Sequence, residues 1–237
     1  MSTGFPEQEI HLYTCCPSDV ANKADALHGV LSPDEHKRLA GMSFESDRLD
    51  YLVAHAMLRV VLSRYSEASP HSWQFTKGPH GKPELLDNHS GIEFNLAHTR
   101  DLCAVIVTSG KPCGVDVEIL TRTNNIEGIA WKTFSEPEIE FMGLNQDIAR
   151  HRFFQLWSLR EAYLKALGVG MSGNSKDFGF GIDEDFTVTL RFDDARDHEW
   201  SLALHDVGAG HVMATCVERG DGIKITGFDA AKLLKAV

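Results

Sequence analysis

Along the chain the hydrophobic positions change their period several times, and each change marks an element. Residues 9–15 alternate weakly and carry β-forming side chains, which predicts a strand. Ser32-Pro33-Asp34-Glu35 joins a cap residue, a proline at the first helical position and acids in the first turn, so a short helix is expected to about residue 42. Asp47 is placed to cap a second helix. Its apolar face, Tyr51, Leu52, Ala54, Met57, Leu58, Val61 and Leu62, runs to about residue 65. After Pro70 the period shortens to that of strands, at 73–76, 92–96 and 102–108. The last is nearly continuous in apolar residues and is expected to be buried. The first two flank a turn-rich loop, Gly78-Pro79-His80-Gly81-Lys82-Pro83.

The order then repeats. A strand at 114–119 is followed by Ser135-Glu136-Pro137-Glu138, which echoes the earlier helix start, and by a long helix at about 148–167. Strands at 186–192, 200–205 and 211–217 come last. An offset of roughly 100 residues predicts two copies of one α+β unit, since a solenoid needs at least about three repeats. Two halves are expected, 1–110 and 111–237, each with an antiparallel sheet and a long packed helix, joined near 109–112.

Two stretches in the second half carry charge in a pattern. In the long helix Arg160, Glu161 and Lys165 fall within an arc of roughly 140°, while Phe153, Leu156, Leu159, Leu164 and Leu167 cover much of the remainder. A solvated helix face with Glu161 and Lys165 as an i,i+4 pair accounts for such a stripe. So does a helix that turns the stripe toward a cleft. In Gly114-Val115-Asp116-Val117-Glu118-Ile119, alternation puts Asp116 and Glu118 on one strand face with Cα atoms roughly 6.5–7 Å apart. Water can solvate both carboxylates on a half-exposed strand. A hard divalent cation is the other way to hold them, because Mg²⁺ takes oxygen ligands and keeps waters and phosphate oxygens in its shell. Glu161 would complete such a site.

Composition narrows the classes. A chain of 237 residues with 43% hydrophobic and 24% charged residues suits a soluble globular protein with one large core or two modest ones. No run approaches the 18–20 or so apolar residues of a spanning helix, and residues 1–10 lack the basic and apolar regions of a signal peptide. Cys15, Cys16, Cys103, Cys113 and Cys216 are odd in number without a C-x-x-C spacing, so reduced thiols and a cytoplasmic location are expected. The net charge of −11 argues against a nucleic-acid binder. A polyanionic ligand would need a local basic cluster, for which Lys37, Arg38, Lys82 and Lys111 are candidates.

The pair Gly-Val-Asp-Val-Glu (114–118) and Trp-Ser-Leu-Arg-Glu-Ala-Tyr-Leu-Lys (157–165) resembles the two signatures of the 4′-phosphopantetheinyl transferases, and the length resembles the longer, Sfp-type subfamily. That resemblance implies a pseudo-twofold α+β fold and Mg²⁺-dependent transfer of the 4′-phosphopantetheine arm of coenzyme A to a serine of an apo acyl or peptidyl carrier protein. It implies Asp116, Glu118 and Glu161 as metal ligands, Glu161 or a metal-bound water as the base, and Lys165 as the cation that neutralises the leaving phosphate. Arg38, Lys82, His98, Thr99, Arg160 and Lys165 would contact coenzyme A, with His98 at its 3′-phosphate. A cytoplasmic monomer with no nucleic-acid or membrane partner follows. Three positions depart from the family pattern: Glu35 and Asp50 stand where it has basic residues, and Arg160 where it usually has lysine. The alternatives are a non-catalytic coenzyme A or carrier-protein binding module of the same fold, and a Mg²⁺-dependent phosphohydrolase. Residues 124–133 are the candidate carrier-facing region.

Overall fold

A computed structural model of the chain describes residues 9–88, 90–122, 125–170, 177–192, 199–208, 210–220 and 224–237. In chain order its elements are β1 (Glu9–Cys15), α1 (Ala24–His28), α2 (Pro33–Ala40), α3 (Glu45–Leu62), β2 (Phe75–Lys77), β3 (Pro83–Leu85), β4 (Ile92–Thr99), β5 (Leu102–Ser109) and β6 (Cys113–Ile119). They continue with α4 (Ile126–Thr133), α5 (Glu136–Met142), α6 (Gln146–Leu167), β7 (Phe178–Ile182), β8 (Val188–Phe192), β9 (Trp200–His205), β10 (His211–Glu218), β11 (Lys224–Asp229) and α7 (Ala231–Leu234). The architecture is mixed α+β. Among the described residues no helix is long and apolar enough to cross a membrane.

Two units divide the chain. One comprises Met1–Gly78, Pro83–Lys111 and Gly220–Val237; the other comprises Pro79–Lys82 and Pro112–Arg219. The expected second half, 111–237, is therefore corrected at its end, because the last stretch belongs with the first unit. There β11 pairs in parallel with β1, matching Glu9 to Lys224 and Thr14 to Asp229, and the sheet order is β11-β1-β5-β4. The expected all-antiparallel sheet is in this unit a mixed one. Parallel pairing of a chain's first and last strands leaves no local signature, since it needs no hairpin turn.

In the first unit α3 lies on β5 and β4 and buries Val53, Ala54, Ala56, Met57, Val61 and Leu62. The strand at β5 is buried over seven of its eight residues, as its continuous apolar run predicts. Ser32 and Glu35 form a reciprocal capping box that starts α2, with Glu35 Oε2 accepting from the Ser32 N–H at 2.7 Å. Glu35 also receives Arg59 of α3 at 2.8 Å, so its place is fixed twice over.

The second unit holds the antiparallel sheet β6-β10-β9 and the hairpin β7-β8, with α6 packed on β6 and β10. Asn145 caps α6 by accepting from Asp147 and Ile148, and Gly168 ends it in a left-handed conformation at φ 69°. A second capping box, Ser135 with Glu138, starts α5. Gly114 lets helix and strand approach: a Cβ there would lie 2.0 Å from Ala162 O and 2.7 Å from Ala166 N. Only the missing side chain lets α6 sit this close to β6. The expected strand at 186–192 is shorter, beginning at Val188, and α4, β7 and β11 have no counterpart among the elements the pattern predicts.

Candidate active site

Close packing of α6 on β6 decides where the charged residues go. Asp116 and Glu118 are not half-exposed as alternation suggests; they are 6% and 7% exposed, on a strand buried at six of its seven positions. Lys165 reaches from α6 to Asp116 Oδ1 at 2.7 Å and also donates to Val115 O at 3.2 Å. Glu161, one turn earlier, lines a cavity of about 270 Å³ with Asp116, Glu118, Arg122, Ile129, Phe153, Phe154 and Trp157. Three carboxylates thus share one recess, partly walled by aromatic rings.

Electrostatics in the recess follow from that crowding. Burial pushes the Glu161 carboxyl upward, and the Asp116 charge adds to the push. Glu118 is raised for the same two reasons, in the same order. Arg122, outside the signature, donates to both carboxylate oxygens of Glu118 at 3.1 and 3.2 Å. Asp116 Oδ2 is buried with no hydrogen-bond partner. Such an atom is costly unless a donor or cation arrives.

Among the described residues no group of three or more His, Cys, Asp or Glu side chains is placed to hold a metal ion as it stands. The reason is visible in the ion pairs, since Lys165 holds one oxygen of Asp116 and Arg122 holds Glu118. The donor chemistry still fits a hard cation: the recess offers carboxylate oxygens, one of them orphaned, and Mg²⁺ is commonly bound by one or two carboxylates together with phosphate and water.

Lys82 lies at the start of the same strand, its Nζ donating to Cys113 O at 3.0 Å. Arg160 does not join the site. It is 1% exposed, bonded to Glu138 at 2.8 and 3.0 Å and to Phe178 O, with its guanidinium 4.5 Å from the Phe178 ring centroid and near Phe134 and Phe180. The expectation that it grips a diphosphate is corrected: it is an ion-paired core residue. One of the three charges on the helical arc turns inward because Glu138 is there to receive it.

In the first unit, Tyr51 gathers two of the expected residues. The Arg38 guanidinium lies 5.6 Å from its ring centroid, and the His98 ring meets it edge-on at 6.5 Å. His55 stacks on the same ring at 4.0 Å. Arg38 and His98 are exposed, while Thr99 ends β4 half-buried. Glu35 is explained by its capping and its pairing with Arg59, so the absence of a basic residue there has a structural reason. Tyr51 and Arg122 carry no sequence motif that marks them as site residues. For Arg122 the one signal is its position four residues after Glu118.

Comparison with known proteins identifies the family. The model of the 4′-phosphopantetheinyl transferase superfamily matches residues 112–216, and that of the 4′-phosphopantetheinyl transferase N-terminal region matches 19–110. The 4′-phosphopantetheinyl transferase HetI of Nostoc sp. is 31% identical over 167 residues, 69% of this chain and 70% of the relative. A phosphopantetheinyl transferase of Thraustochytrium sp. is 28% identical over 81% of this chain and 72% of its own. The 4′-phosphopantetheinyl transferase Sfp of Bacillus subtilis is 26% identical over 81% of this chain and 84% of its own. The chain therefore belongs to the 4′-phosphopantetheinyl transferases, of the longer Sfp type.

Proposed function

We propose that this transferase moves the 4′-phosphopantetheine arm of coenzyme A onto a serine hydroxyl of an apo carrier protein, with Mg²⁺ held by Asp116, Glu118 and Glu161. The observation that carries the reading is the recess in which those three carboxylates meet, with Lys165 bonded to Asp116. In the reaction the serine oxygen forms a bond to the phosphorus that bears pantetheine. The bridging P–O bond breaks, and 3′,5′-adenosine bisphosphate leaves with that electron pair. Mg²⁺, when bound, would offset the charge on the diphosphate.

The chain's own residues supply the rest. Glu161 is the candidate base for the serine proton, placed in the recess with Asp116 and Glu118. Lys165 holds Asp116 in place and puts a cation where charge develops on the leaving group. Arg38 and His98, gathered on Tyr51, are the candidate contacts to the 3′-phosphate, with Thr99 beside them. Lys82 is a further candidate for a phosphate contact, at the edge of β6. A pseudo-twofold relation between the two units and action as a cytoplasmic monomer belong to the same reading. The repeated Ser-x-x-Glu box and the repeated Arg-Glu pair, Arg59 with Glu35 and Arg160 with Glu138, support two copies of one unit.

One assay tests it. The protein is incubated with coenzyme A, Mg²⁺ and an apo carrier protein, and the carrier is weighed by mass spectrometry. Addition of the arm, lost with a chelator, supports the reading. Coenzyme A cleavage without addition indicates a phosphohydrolase, and no turnover indicates a binding module.

A further inference from the structure

The recess that holds the carboxylates is closed on one side by a cation that belongs to no signature. Arg122 follows β6 and spans both oxygens of Glu118 at 3.1 and 3.2 Å. Its side chain is 55% exposed, whereas that of Glu118 is 9% exposed. The charge is thus supplied from solvent to a group shut away from it. Lys165 differs in being fastened by the Val115 carbonyl as well as by Asp116. The backbone of Arg122 is in turn held from α6, where Arg150 donates through Nε to Leu120 O at 2.5 Å and through a second nitrogen to Arg122 O. The main chain is anchored from α6, and the partly exposed guanidinium is held by Glu118.

We propose that Arg122 is a resident counter-ion that neutralises Glu118 in the metal-free enzyme and is displaced when a divalent cation binds. This rests on the reading of the carboxylates as the metal site. Charge balance gives the reason for displacement: Lys165 and one divalent cation together neutralise three carboxylates, which leaves Arg122 in excess beside Glu118. Before the cation arrives, Arg122 lowers the repulsion among the carboxylates and occupies both oxygens of Glu118. The swap makes the cation site compete with an internal ligand, so affinity for the metal is set partly by this arginine. A displaced guanidinium is then a loose cation at the mouth of the recess, with the planar geometry that suits phosphate oxygens.

Mn²⁺ binding to the full chain, followed by electron paramagnetic resonance without coenzyme A, tests the inference. Arg122→Ala is expected to bind Mn²⁺ roughly three- to tenfold more tightly than wild type, as removal of a partly exposed charged hydrogen bond implies. Equal or weaker binding overturns it. Asp116→Ala serves to separate the two readings: if it binds Mn²⁺ like wild type, the metal site itself is wrong, whereas loss of binding there with no gain in Arg122→Ala sinks the counter-ion alone. The wild-type protein gives a measurement that needs no folded variant. Its Arg122 guanidinium resonance, assigned through Arg122→Lys, is expected to shift as Mg²⁺ saturates, and a resonance that stays in place contradicts displacement.

Discussion

Arg160 and Glu138 meet through two bonds of 2.8 and 3.0 Å in the core of the second unit, although Arg160 directly precedes Glu161, which lines the recess. With both partners almost fully buried, removal of one leaves a charge with no water to receive it. Arg160→Ala is expected to cost about 3–5 kcal/mol of stability. Chemical denaturation measures it. A loss of transfer rate in Arg160→Ala without loss of stability would return the residue to the site.

Gly114 carries a second expectation. Because a Cβ would overlap backbone of α6, Gly114→Ala must push the helix from the strand and carry Glu161 and Lys165 with it. A loss of about 1–3 kcal/mol, the usual cost of overpacking, should accompany a fall in transfer. Unchanged stability and rate would mean that helix and strand do not meet at Gly114.

Much of the site is written in the sequence, and the departures have a common cause. Alternation places Asp116 and Glu118 on one face, and period 3.6 puts Glu161 and Lys165 on one stripe, because both signals are local. What the stripe faces is not local. Arg160 points to Glu138, 22 positions away, and nothing in the helix itself announces that partner. The same holds for β11, whose partner β1 begins the described chain. Burial of Asp116 and Glu118 is likewise invisible in the pattern, since it depends on α6 passing over Gly114.

Asp50 gives the pH dependence a sign. It is 7% exposed, and burial lifts its carboxyl to about 6, against the lowering effect of the Asp101 N–H, which donates to it. The folded value lies above the ordinary 3.8. Ionised Asp50 therefore burdens the fold fully above pH 6 and not at all below the unfolded value, so its contribution worsens as pH rises between the two. Asp50→Asn should raise stability at pH 8 by up to about 3 kcal/mol and change it little at pH 3, since each tenfold change in proton affinity on folding is worth roughly 1.4 kcal/mol. Thermal melts at both pH values decide, and an equal gain at both would contradict the assignment.

His98 should read the 3′-phosphate. His98→Ala is expected to raise KM for coenzyme A by about tenfold, the worth of one charged hydrogen bond, and to leave 3′-dephospho-coenzyme A nearly unaffected. Steady-state kinetics with both substrates provide the check. Equal effects would place His98 elsewhere, with its contact to Tyr51 structural only.

Asp116 bears on the central claim, that the buried carboxylates hold the cation on which transfer depends. It is the one whose second oxygen has no partner while Lys165 holds the first. The direct measurement is the transfer rate of Asp116→Ala across a Mg²⁺ titration, read by mass of the carrier protein, with circular dichroism to establish a native fold. Transfer at least a hundredfold below wild type at every Mg²⁺ concentration is predicted, on the order of the loss when a metal site is disrupted. A natively folded Asp116→Ala that transfers at the wild-type rate in limiting Mg²⁺ would contradict it.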